Sequence, residues 1–407
     1  MTATCLKRYL IDSSPLRSAA FALLAGAALN GFTADALSIG NRHIRVALQR
    51  DGHLTLAEPG AGQPFATVAW PLEDEARPVV APFRDARLGT GQRLAVTCAD
   101  GRQDAVFVLA EQPFAFFQST LKNGGASLAV TNRVPYPALA LNLGVPAADL
   151  TTLGSGGLLK PDKNPGSYMW SAVADPATRR GVVAGWISTD RGSGIVRMES
   201  GDGGVRLLPH LDYGRLPLAP GQEEPLELFV AGVFDDARLG LEAYADLIAA
   251  RYAIRLPPMP TVHCTWYVDG ASRETVLSNR TAFAAQALKP FGLGVMQIDD
   301  GWQLGHSTNG PKKVFIGHNP DGPYPSGMKA MADTIRRAGF TPGLWLIPFA
   351  GSSDDPWFAD KRDWFAKKPD GRPFDTRWGG TCFDLTRADT QAYLKEMIHT
   401  LTHAWGY

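Results

Sequence analysis

Residues 294–303 have the sequence GVMQIDDGWQ, and they are the most informative segment of the C-terminal third of the chain. Side chains of a β-strand alternate between its two faces, so Met296 and Ile298 share an apolar face while Gln297 and Asp299 share a polar one. The apolar face is suited to packing against helices. The polar face ends in carboxylates, and the C-terminal ends of the strands in a parallel barrel are where such proteins hold their functional residues. The stretch therefore predicts a buried strand with a polar site at its end.

Two adjacent aspartates, Asp299 and Asp300, close this strand and are followed by Gly301. An ionised carboxylate accepts several hydrogen bonds, so a pair of them suits a ligand rich in hydroxyl groups, such as a sugar. Asp-Asp-Gly is also a common turn sequence. The tripeptide by itself does not separate a binding site from an ordinary turn.

The chain after residue 260 alternates between strand and helix patterns. Strands are predicted at 262–268, 294–299 and 341–349, and helices are predicted to start at the caps Ser272, Ser326 and Thr386. Repeated βα units give a parallel sheet with right-handed crossovers. Three strands leave two architectures open, a doubly wound open sheet and a (β/α)8 barrel.

The region before this alternation, residues 37–235, has a different pattern. Short runs rich in Val, Phe, Thr and Trp are separated by Gly, Pro, Asp and Asn, which predicts an antiparallel β-sandwich. The clearest runs are 43–49, 65–70, 93–99, 104–110, 114–121, 181–189 and 226–234. Residues 235–252 then take helical spacing, although Gly240 weakens that pattern. The proline-rich segment 255–260 predicts a domain boundary.

The first 36 residues resemble a secretory signal peptide. Lys7, Arg8 and Arg17 precede an apolar run from Ala19 to Leu29, and residues 34–36 (Ala-Asp-Ala) fit the small-x-small pattern of a cleavage site. We therefore expect a secreted or periplasmic protein. A short buried helix is the alternative interpretation of the apolar run.

Composition excludes several classes of partner. Forty basic and forty acidic residues give a formal net charge of zero, so the basic surface of a nucleic-acid-binding protein is not expected. No segment reaches the length of apolar sequence that a membrane span needs. The four cysteines are too widely spaced to predict a disulfide framework or a zinc site. The expected ligand is neutral, and the sequence leaves the oligomeric state unknown.

Five motifs in the C-terminal region carry a family resemblance. The order WYVDG, IDDGWQ, GLWLIPF, FDLT and WGY resembles the α-galactosidase and raffinose-synthase group, glycoside hydrolase family 36 and its relatives. Residues 264–266 (Cys-Thr-Trp) before IDDGWQ are closest to the raffinose-synthase branch. The resemblance covers motifs over residues 260–407 and extends to the N-terminal sandwich in architecture only.

The resemblance implies a β-sandwich followed by a (β/α)8 barrel and a retaining, two-carboxylate mechanism on terminal α-galactosides. Asp299 and Asp300 then bind sugar hydroxyls and do not attack. Trp345 matches a tryptophan lining the sugar pocket, and Trp266 and Trp302 are plausible companions. The expected organisation is a signal peptide at 1–36, a β-sandwich at 37–235, a helical linker and proline-rich boundary at 236–260, and a partial catalytic barrel at 261–407.

The sequence departs from the family where the chemistry would lie. The family nucleophile is the aspartate of a Lys-x-Asp motif on the fourth strand, just after a segment that resembles residues 405–407 (Trp-Gly-Tyr), and the acid/base follows on a later strand. No catalytic residue is therefore named, since both are expected beyond Tyr407. The expectation is a chain truncated before its nucleophile and inactive by itself.

Alternative functions stay open. A raffinose-synthase-like transglycosylase would pass the galactosyl group to a sugar in place of water. A non-catalytic carbohydrate-binding remnant would keep only recognition. An unrelated doubly wound enzyme would need a phosphate-binding glycine loop, which residues 269–272 do not supply. The two-carboxylate mechanism needs no nucleotide, flavin or metal, so no cofactor is expected.

Overall fold

The computed structural model describes residues 37–70, 77–201, 203–267 and 272–407. The chain divides into two compact units between Arg255 and Leu256. The signal peptide predicted at 1–36 lies outside the described residues, as do residues 268–271, which include the Val-Asp-Gly of one motif. No helix in these described ranges is both long and apolar enough to cross a membrane.

The first unit is built from strands, with one α-helix among its described residues. In chain order the strands are β1 (Ser38–Gly40), β2 (Arg45–Leu48), β3 (His53–Ala57), β4 (Ala66–Ala69), β5 (Val79–Asp85), β6 (Gly89–Thr97), β7 (Gln103–Leu109), β8 (Ala115–Lys122), β9 (Ala129–Pro135), β10 (Leu139–Leu141), β11 (Thr151–Gly154), β12 (Gly157–Leu159), β13 (Ser167–Tyr168), β14 (Trp170–Ala174), β15 (Gly181–Trp186), β16 (Ser193–Gly201), β17 (Gly204–Leu218), β18 (Glu223–Pro225) and β19 (Phe229–Phe234).

These strands form two antiparallel sheets. The first has the order β1-β2-β3-β4-β10-β17-β16-β13, with β9 also paired to β17, and the second has the order β12-β11-β14-β15-β19-β8-β7-β6-β5, with β18 also paired to β8. The expectation of a largely antiparallel first region is confirmed. Most connections join neighbouring strands, as is usual for antiparallel sheets.

The two sheets share one apolar core. Leu54 and Leu56 of β3 and Val106 and Val108 of β7 all belong to this core, and all four side chains are buried. Strand β15 is buried on both faces, since Val182 and Ala184 belong to the shared core while Val183 belongs to a second core on the opposite face. A strand buried on both faces carries an unbroken apolar run rather than an alternating one.

Helix α1 (Ala237–Tyr252) covers that second face. It begins where the side chain of Asp236 accepts a hydrogen bond of 3.0 Å from the backbone N–H of Arg238, which satisfies a free helix N–H. The buried Tyr244 hydroxyl donates to the carbonyl of Trp186 at 2.5 Å. The helix is thus tied to the sheet by packing and by a hydrogen bond.

Gly240 lies on the face of α1 that touches the sheet. A Cβ atom there would stand 2.5 Å from a ring carbon of Phe234 and 2.9 Å from a methyl group of Val183. The glycine that weakens the helical pattern in the sequence is therefore explained by tertiary packing, because only a residue without a side chain allows this close approach.

Replacing Gly240 with Ala should destabilise the first unit by about 1–3 kcal/mol, because the added methyl group overpacks this contact. Thermal and urea unfolding measure the change, and Ala245→Ser on the exposed face of the same helix is the matched control. An alanine at an unstrained helical position would instead stabilise the protein. A gain in stability for Gly240→Ala would contradict the packing.

The second unit contains short strands, three α-helices and several single turns among its described residues. The elements are β20 (Val262–Cys264), α2 (Glu274–Ala287), β21 (Val295–Ile298), β22 (Gln303–Leu304), β23 (Val314–His318), α3 (Met328–Arg337), β24 (Thr341–Leu344), β25 (Ala350–Gly351), β26 (Thr381–Cys382) and α4 (Ala388–His399), the last continued by a π-helical turn, Thr400–Ala404.

Strands β20, β21 and β24 form a parallel sheet in that order. Cys264 is paired with Gln297 across the first pair of strands, and Gln297 with Gly343 across the second. Met296 and Ile298 are buried in one apolar cluster with Met331 and Ile335 of α3, as the alternation of side chains in the sequence predicts. The opposite face, with Gln297 and Asp299, is half-buried.

All three helix caps predicted in this unit are wrong. The helices start at Glu274, Met328 and Ala388 without a side-chain cap. Nearby acceptors take the hydroxyl groups instead: Ser326 donates to Glu274 at 2.6 Å, Thr386 to Asp384 at 2.6 Å, and Ser272 to Thr265 at 3.1 Å. Each helix begins one residue later than its predicted cap requires, so Arg273, Gly327 and Arg387 stand at the capping positions.

Two predicted strands are also shorter than expected. The strand at 262–268 ends at Cys264 and continues as a 3-10 turn, Thr265–Tyr267, and the strand at 341–349 ends at Leu344. The apolar residues that follow these two strands therefore lie outside the sheet. This places two of the predicted site tryptophans, Trp266 and Trp345, just beyond the ends of β20 and β24.

Candidate functional site

Asp299 follows β21 directly, and four hydrogen bonds fix it. Its backbone N–H donates to the Thr265 hydroxyl at 2.9 Å. One carboxylate oxygen accepts from the Cys264 thiol at 3.3 Å and from the Gln297 amide at 3.4 Å, and the other accepts from the backbone N–H of Asp300 at 2.8 Å. The carboxylate is thus oriented by two neighbouring strands while its residue remains half-buried.

Cys264 takes part in this arrangement as a hydrogen-bond donor. Burial raises the pKa of its thiol, and the adjacent Asp299 carboxylate raises it further, because a second negative charge beside the carboxylate is unfavourable. The thiol therefore keeps its proton and can donate it to Asp299. The sequence gives no sign of this role, since it depends on the register between β20 and β21.

Asp300 is positioned by the residue that ends the IDDGWQ motif. The amide group of Gln303 donates to the Asp300 carboxylate at 2.5 Å, and its oxygen accepts from the backbone N–H of Gly301 at 3.1 Å. Gln303 is fully buried. The motif is therefore a self-bonded turn in which the glutamine holds the second aspartate, and sequence reasoning did not assign it that function.

The structure gives Trp302 a packing position. Its side chain is 1% exposed, lies 5.8 Å from the Trp405 ring in an edge-on arrangement, and donates its indole N–H to the carbonyl of Trp345 at 3.0 Å. The backbone N–H of Trp345 in turn donates to the carbonyl of Ile298 at 2.9 Å. Trp302 is thus buried, and its hydrogen bond supports the backbone of Trp345, which was predicted to line a sugar pocket.

The other two predicted tryptophans are more accessible. Trp345 is half-buried, with its ring centroid 6.3 Å from that of Trp378. Trp266 is 63% exposed on the turn after β20. The carboxyl ends of parallel neighbouring strands share one edge of a sheet, so Asp299, Trp266 and Trp345 lie along the same edge. Four of the five predicted binding residues are therefore brought to this edge, and Trp302 lies beneath it.

A buried lysine lies in the segment between β22 and β23. Lys313 is 1% exposed, and its ammonium donates to the Ser307 hydroxyl at 3.2 Å and to the carbonyls of Asn309 and Pro311 at 2.9 and 2.7 Å. Burial lowers its pKa, and the charge of Asp300, among other carboxylates, opposes that change. The local sequence Pro-Lys-Lys suggests a surface position, so the sequence gives no indication that Lys313 is buried.

A metal-binding cluster or a cavity elsewhere in the described residues would be an alternative candidate site. Among the described residues no group of three or more His, Cys, Asp or Glu side chains is placed to hold a metal ion. Two open pockets, of about 220 and 250 Å³, lie in the first unit near Thr152 and Phe65. The first pocket is lined by Asp175 and Asp236, but Asp175 accepts a hydrogen bond from Thr178 and Asp236 is paired with Arg179 and Arg238. The chemistry of the residues therefore favours the strand edge as the candidate site.

We expect Asp299→Asn to speed the alkylation of Cys264 by iodoacetamide several-fold at a fixed pH below the thiol pKa. Removing the neighbouring carboxylate lowers that pKa and increases the thiolate fraction. Mass spectrometry of the Cys264 peptide measures the rate, with Cys382 as an internal reference. Asp300→Asn is the matched control and should leave the rate unchanged, since the Asp299 carboxylate is the one bonded to the thiol. Equal rates in both variants would contradict this geometry.

Comparisons with known proteins bear on the fold. No model of a known protein family matches the sequence. Among solved structures, the α-galactosidase from Lactobacillus brevis is similar over 91% of this chain and 62% of its own, with 13% identity and a TM-score of 0.59. The α-galactosidase AgaA from Geobacillus stearothermophilus, in a substituted form with raffinose, matches over 91% and 64%, with 14% identity and a TM-score of 0.57.

A second enzyme of that organism, AgaB, matches over 89% of this chain and 62% of its own, with 15% identity and a TM-score of 0.54. AgaA and AgaB are described as members of glycoside hydrolase family 36. The predicted resemblance to this group is therefore confirmed at the level of the fold. The chain spans less than two thirds of the length of each of these three enzymes.

Proposed function

We propose that this chain is the galactoside-binding part of a retaining glycoside hydrolase that acts on terminal α-galactosides. The observation that carries the proposal is the pair Asp299 and Asp300 on the edge of the parallel sheet, each held by a different set of hydrogen bonds. Each carboxylate already accepts hydrogen bonds from neighbouring protein groups. Its remaining lone pairs can accept further hydrogen bonds from a ligand.

The two aspartates suit a sugar better than an anionic ligand. Ionised carboxylates only accept hydrogen bonds, and adjacent hydroxyl groups of a pyranose are donors at matching spacing. A pyranose also has an apolar face, which packs well on an indole, and the half-buried Trp345 offers one beside the strand end. The exposed indole of Trp266 can pack against a second side of the pyranose. Preformed polar groups beside aromatic surfaces are typical of small-molecule sites.

The fold supports the same assignment. The solved α-galactosidases share it, and substituted forms of AgaA are described in complex with raffinose and with stachyose. In our proposal, β20, β21 and β24 are the first three strands of a (β/α)8 barrel. Their parallel order and the helices α2 and α3 between them support that architecture.

Asp299 and Asp300 bind in this proposal and do not attack the anomeric carbon. A retaining site needs two carboxyl groups about 5–5.5 Å apart on either side of the scissile bond. The family that the motifs resemble uses the aspartate pair at this strand end to bind sugar hydroxyls, and the same role is proposed here for Asp299 and Asp300. The nucleophile and the acid/base are expected from later strands of the family barrel.

One alternative has an observation in its favour. The Cys264-Thr265-Trp266 motif resembles the raffinose-synthase branch, and in the structure both Cys264 and Thr265 bond to Asp299. Incubation of the protein with an α-galactoside distinguishes the cases. Free galactose indicates hydrolysis, and a new oligosaccharide indicates transfer to a sugar. Because the nucleophile and the acid/base are expected from later strands, the incubation uses a protein that includes those strands, and binding without turnover in that protein indicates a carbohydrate-binding module.

Export is a separate part of the proposal and rests on residues 7–36. N-terminal sequencing of the protein recovered from a bacterial host tests it. A chain beginning near Leu37 in the periplasm or medium supports removal of a signal peptide, and an intact Met1 on cytoplasmic protein contradicts it.

Asp299→Asn and Asp300→Asn should each weaken the binding of melibiose or raffinose at least about tenfold. A hydrogen bond to a charged group contributes about 1.5–3 kcal/mol, and 1.4 kcal/mol corresponds to tenfold in Kd. Isothermal titration calorimetry measures the affinity, with maltose as a sugar that lacks galactose.

Asp246→Asn, on the exposed face of α1, is the matched control and should bind like the unchanged protein. Circular dichroism and melting curves confirm that each variant is folded. Unaltered affinity in both site variants, or equal binding of maltose, would remove the basis of the proposed function.

A further inference from the structure

Trp378 is a large exposed side chain next to the proposed site. It lies in the 3-10 turn Arg377–Gly379, is 57% exposed, and its ring centroid is 6.3 Å from that of Trp345, with the ring planes at 59°. Single exposed apolar residues are common on protein surfaces and need no explanation by themselves. Two features set Trp378 apart, the rigidity of its turn and the packing beneath it.

The turn that carries Trp378 has one well-defined shape. Arg377 has a positive φ of 61°, a conformation that residues other than glycine rarely adopt. The Arg377 N–H donates to the Asp375 carboxylate at 2.5 Å, and the Thr376 N–H and hydroxyl both donate to the Gly380 carbonyl at 2.9 Å. Such strain persists only where surrounding bonds over-determine the backbone, so the position of the Trp378 backbone is fixed.

Packing beneath the turn depends on two glycines. A Cβ atom at Gly310 would lie 2.7 Å from the Trp378 carbonyl oxygen and 2.8 Å from its indole ring. A Cβ atom at Gly380 would lie 2.5 Å from the Cε atom of the buried Lys313. The turn therefore packs against segment 307–313, in which the Lys313 ammonium donates hydrogen bonds to Ser307, Asn309 and Pro311. One side of the indole is backed by protein, and more than half of its surface remains open.

The two indoles differ in their relation to the aspartates. Trp345 is joined by its backbone to Ile298, next to Asp299, whereas Trp378 meets this region through Trp345 and Gly310. Two tilted aromatic faces side by side match an oligosaccharide, which has two apolar ring faces joined through a flexible linkage. A rigid aromatic surface binds at a low cost in side-chain entropy.

We propose that Trp378 forms a second sugar subsite, which packs against the sugar unit attached to the galactosyl group. This inference rests on the proposed function, in which Asp299, Asp300 and Trp345 bind the galactosyl unit. The ligand class at Trp378 is a neutral pyranose or furanose ring. Trp378 then determines the preference for oligosaccharides over free galactose.

The test compares two ligands, galactose and raffinose, by isothermal titration calorimetry on the full chain. Trp378→Ala should weaken raffinose binding about three- to tenfold, as expected for the loss of one aromatic contact, and leave galactose binding unchanged. Trp378→Phe keeps an aromatic face and should recover most of the affinity. Phe291→Ala is the matched control, because Phe291 is 88% exposed in the turn before β21, at the opposite end of that strand.

The outcomes separate the two proposals. If the unchanged protein binds neither sugar, the proposed function fails and the subsite fails with it. If the unchanged protein binds both and Trp378→Ala either changes neither affinity or weakens both equally, the subsite alone is overturned. Asp300→Asn should weaken both sugars, which gives the pattern expected for a residue of the galactosyl site. Should Trp378→Ala fail to fold, Trp378→Leu replaces it, and weaker raffinose binding by Trp378→Leu than by Trp378→Phe is then the expected result.

Discussion

The candidate site depends on the parallel register of three short strands. Cys264 lies opposite Gln297, and Gln297 lies opposite Gly343, so the last residues of β20, β21 and β24 reach the same edge. A shift of one residue in this register would turn every side chain of β21 to the other face. Met296 and Ile298 oppose such a shift, since burying them with α3 requires the observed face. The apolar core thus sets the position of Asp299.

The polar side of the same strand shows how two carboxylates can be oriented close to a protein core. Asp299 receives two side-chain donors and one backbone donor, and Asp300 receives the buried amide of Gln303. Buried polar groups are tolerated when they are hydrogen-bonded. Here the supporting donors are neutral, with Lys313 as a more distant positive charge. Neutral donors orient the carboxylates without occupying all of their acceptor positions, which leaves capacity for a ligand.

Much of this arrangement could be predicted from the sequence, and the missing parts share a cause. Periodicity identified the antiparallel first region, the three parallel strands and the two faces of β21, because burial follows the alternation of side chains. The caps predicted at Ser272, Ser326 and Thr386 are wrong because each helix begins one residue later than they require, after Arg273, Gly327 and Arg387. Gln303, Lys313 and the donor role of Cys264 depend on contacts between segments that local patterns do not contain.

Trp302 shows why residue type alone cannot separate binding from support. Three tryptophans were predicted to contact a sugar, and the structure places Trp266 and Trp345 at the strand edge but Trp302 in the core beneath. Its indole N–H must find an acceptor once buried, and it finds the carbonyl of Trp345. That bond links the core directly to the backbone of a proposed binding residue. The orientation of Trp345 is therefore fixed by core packing as well as by the sheet, and a rigid site of this kind loses little entropy when a ligand binds.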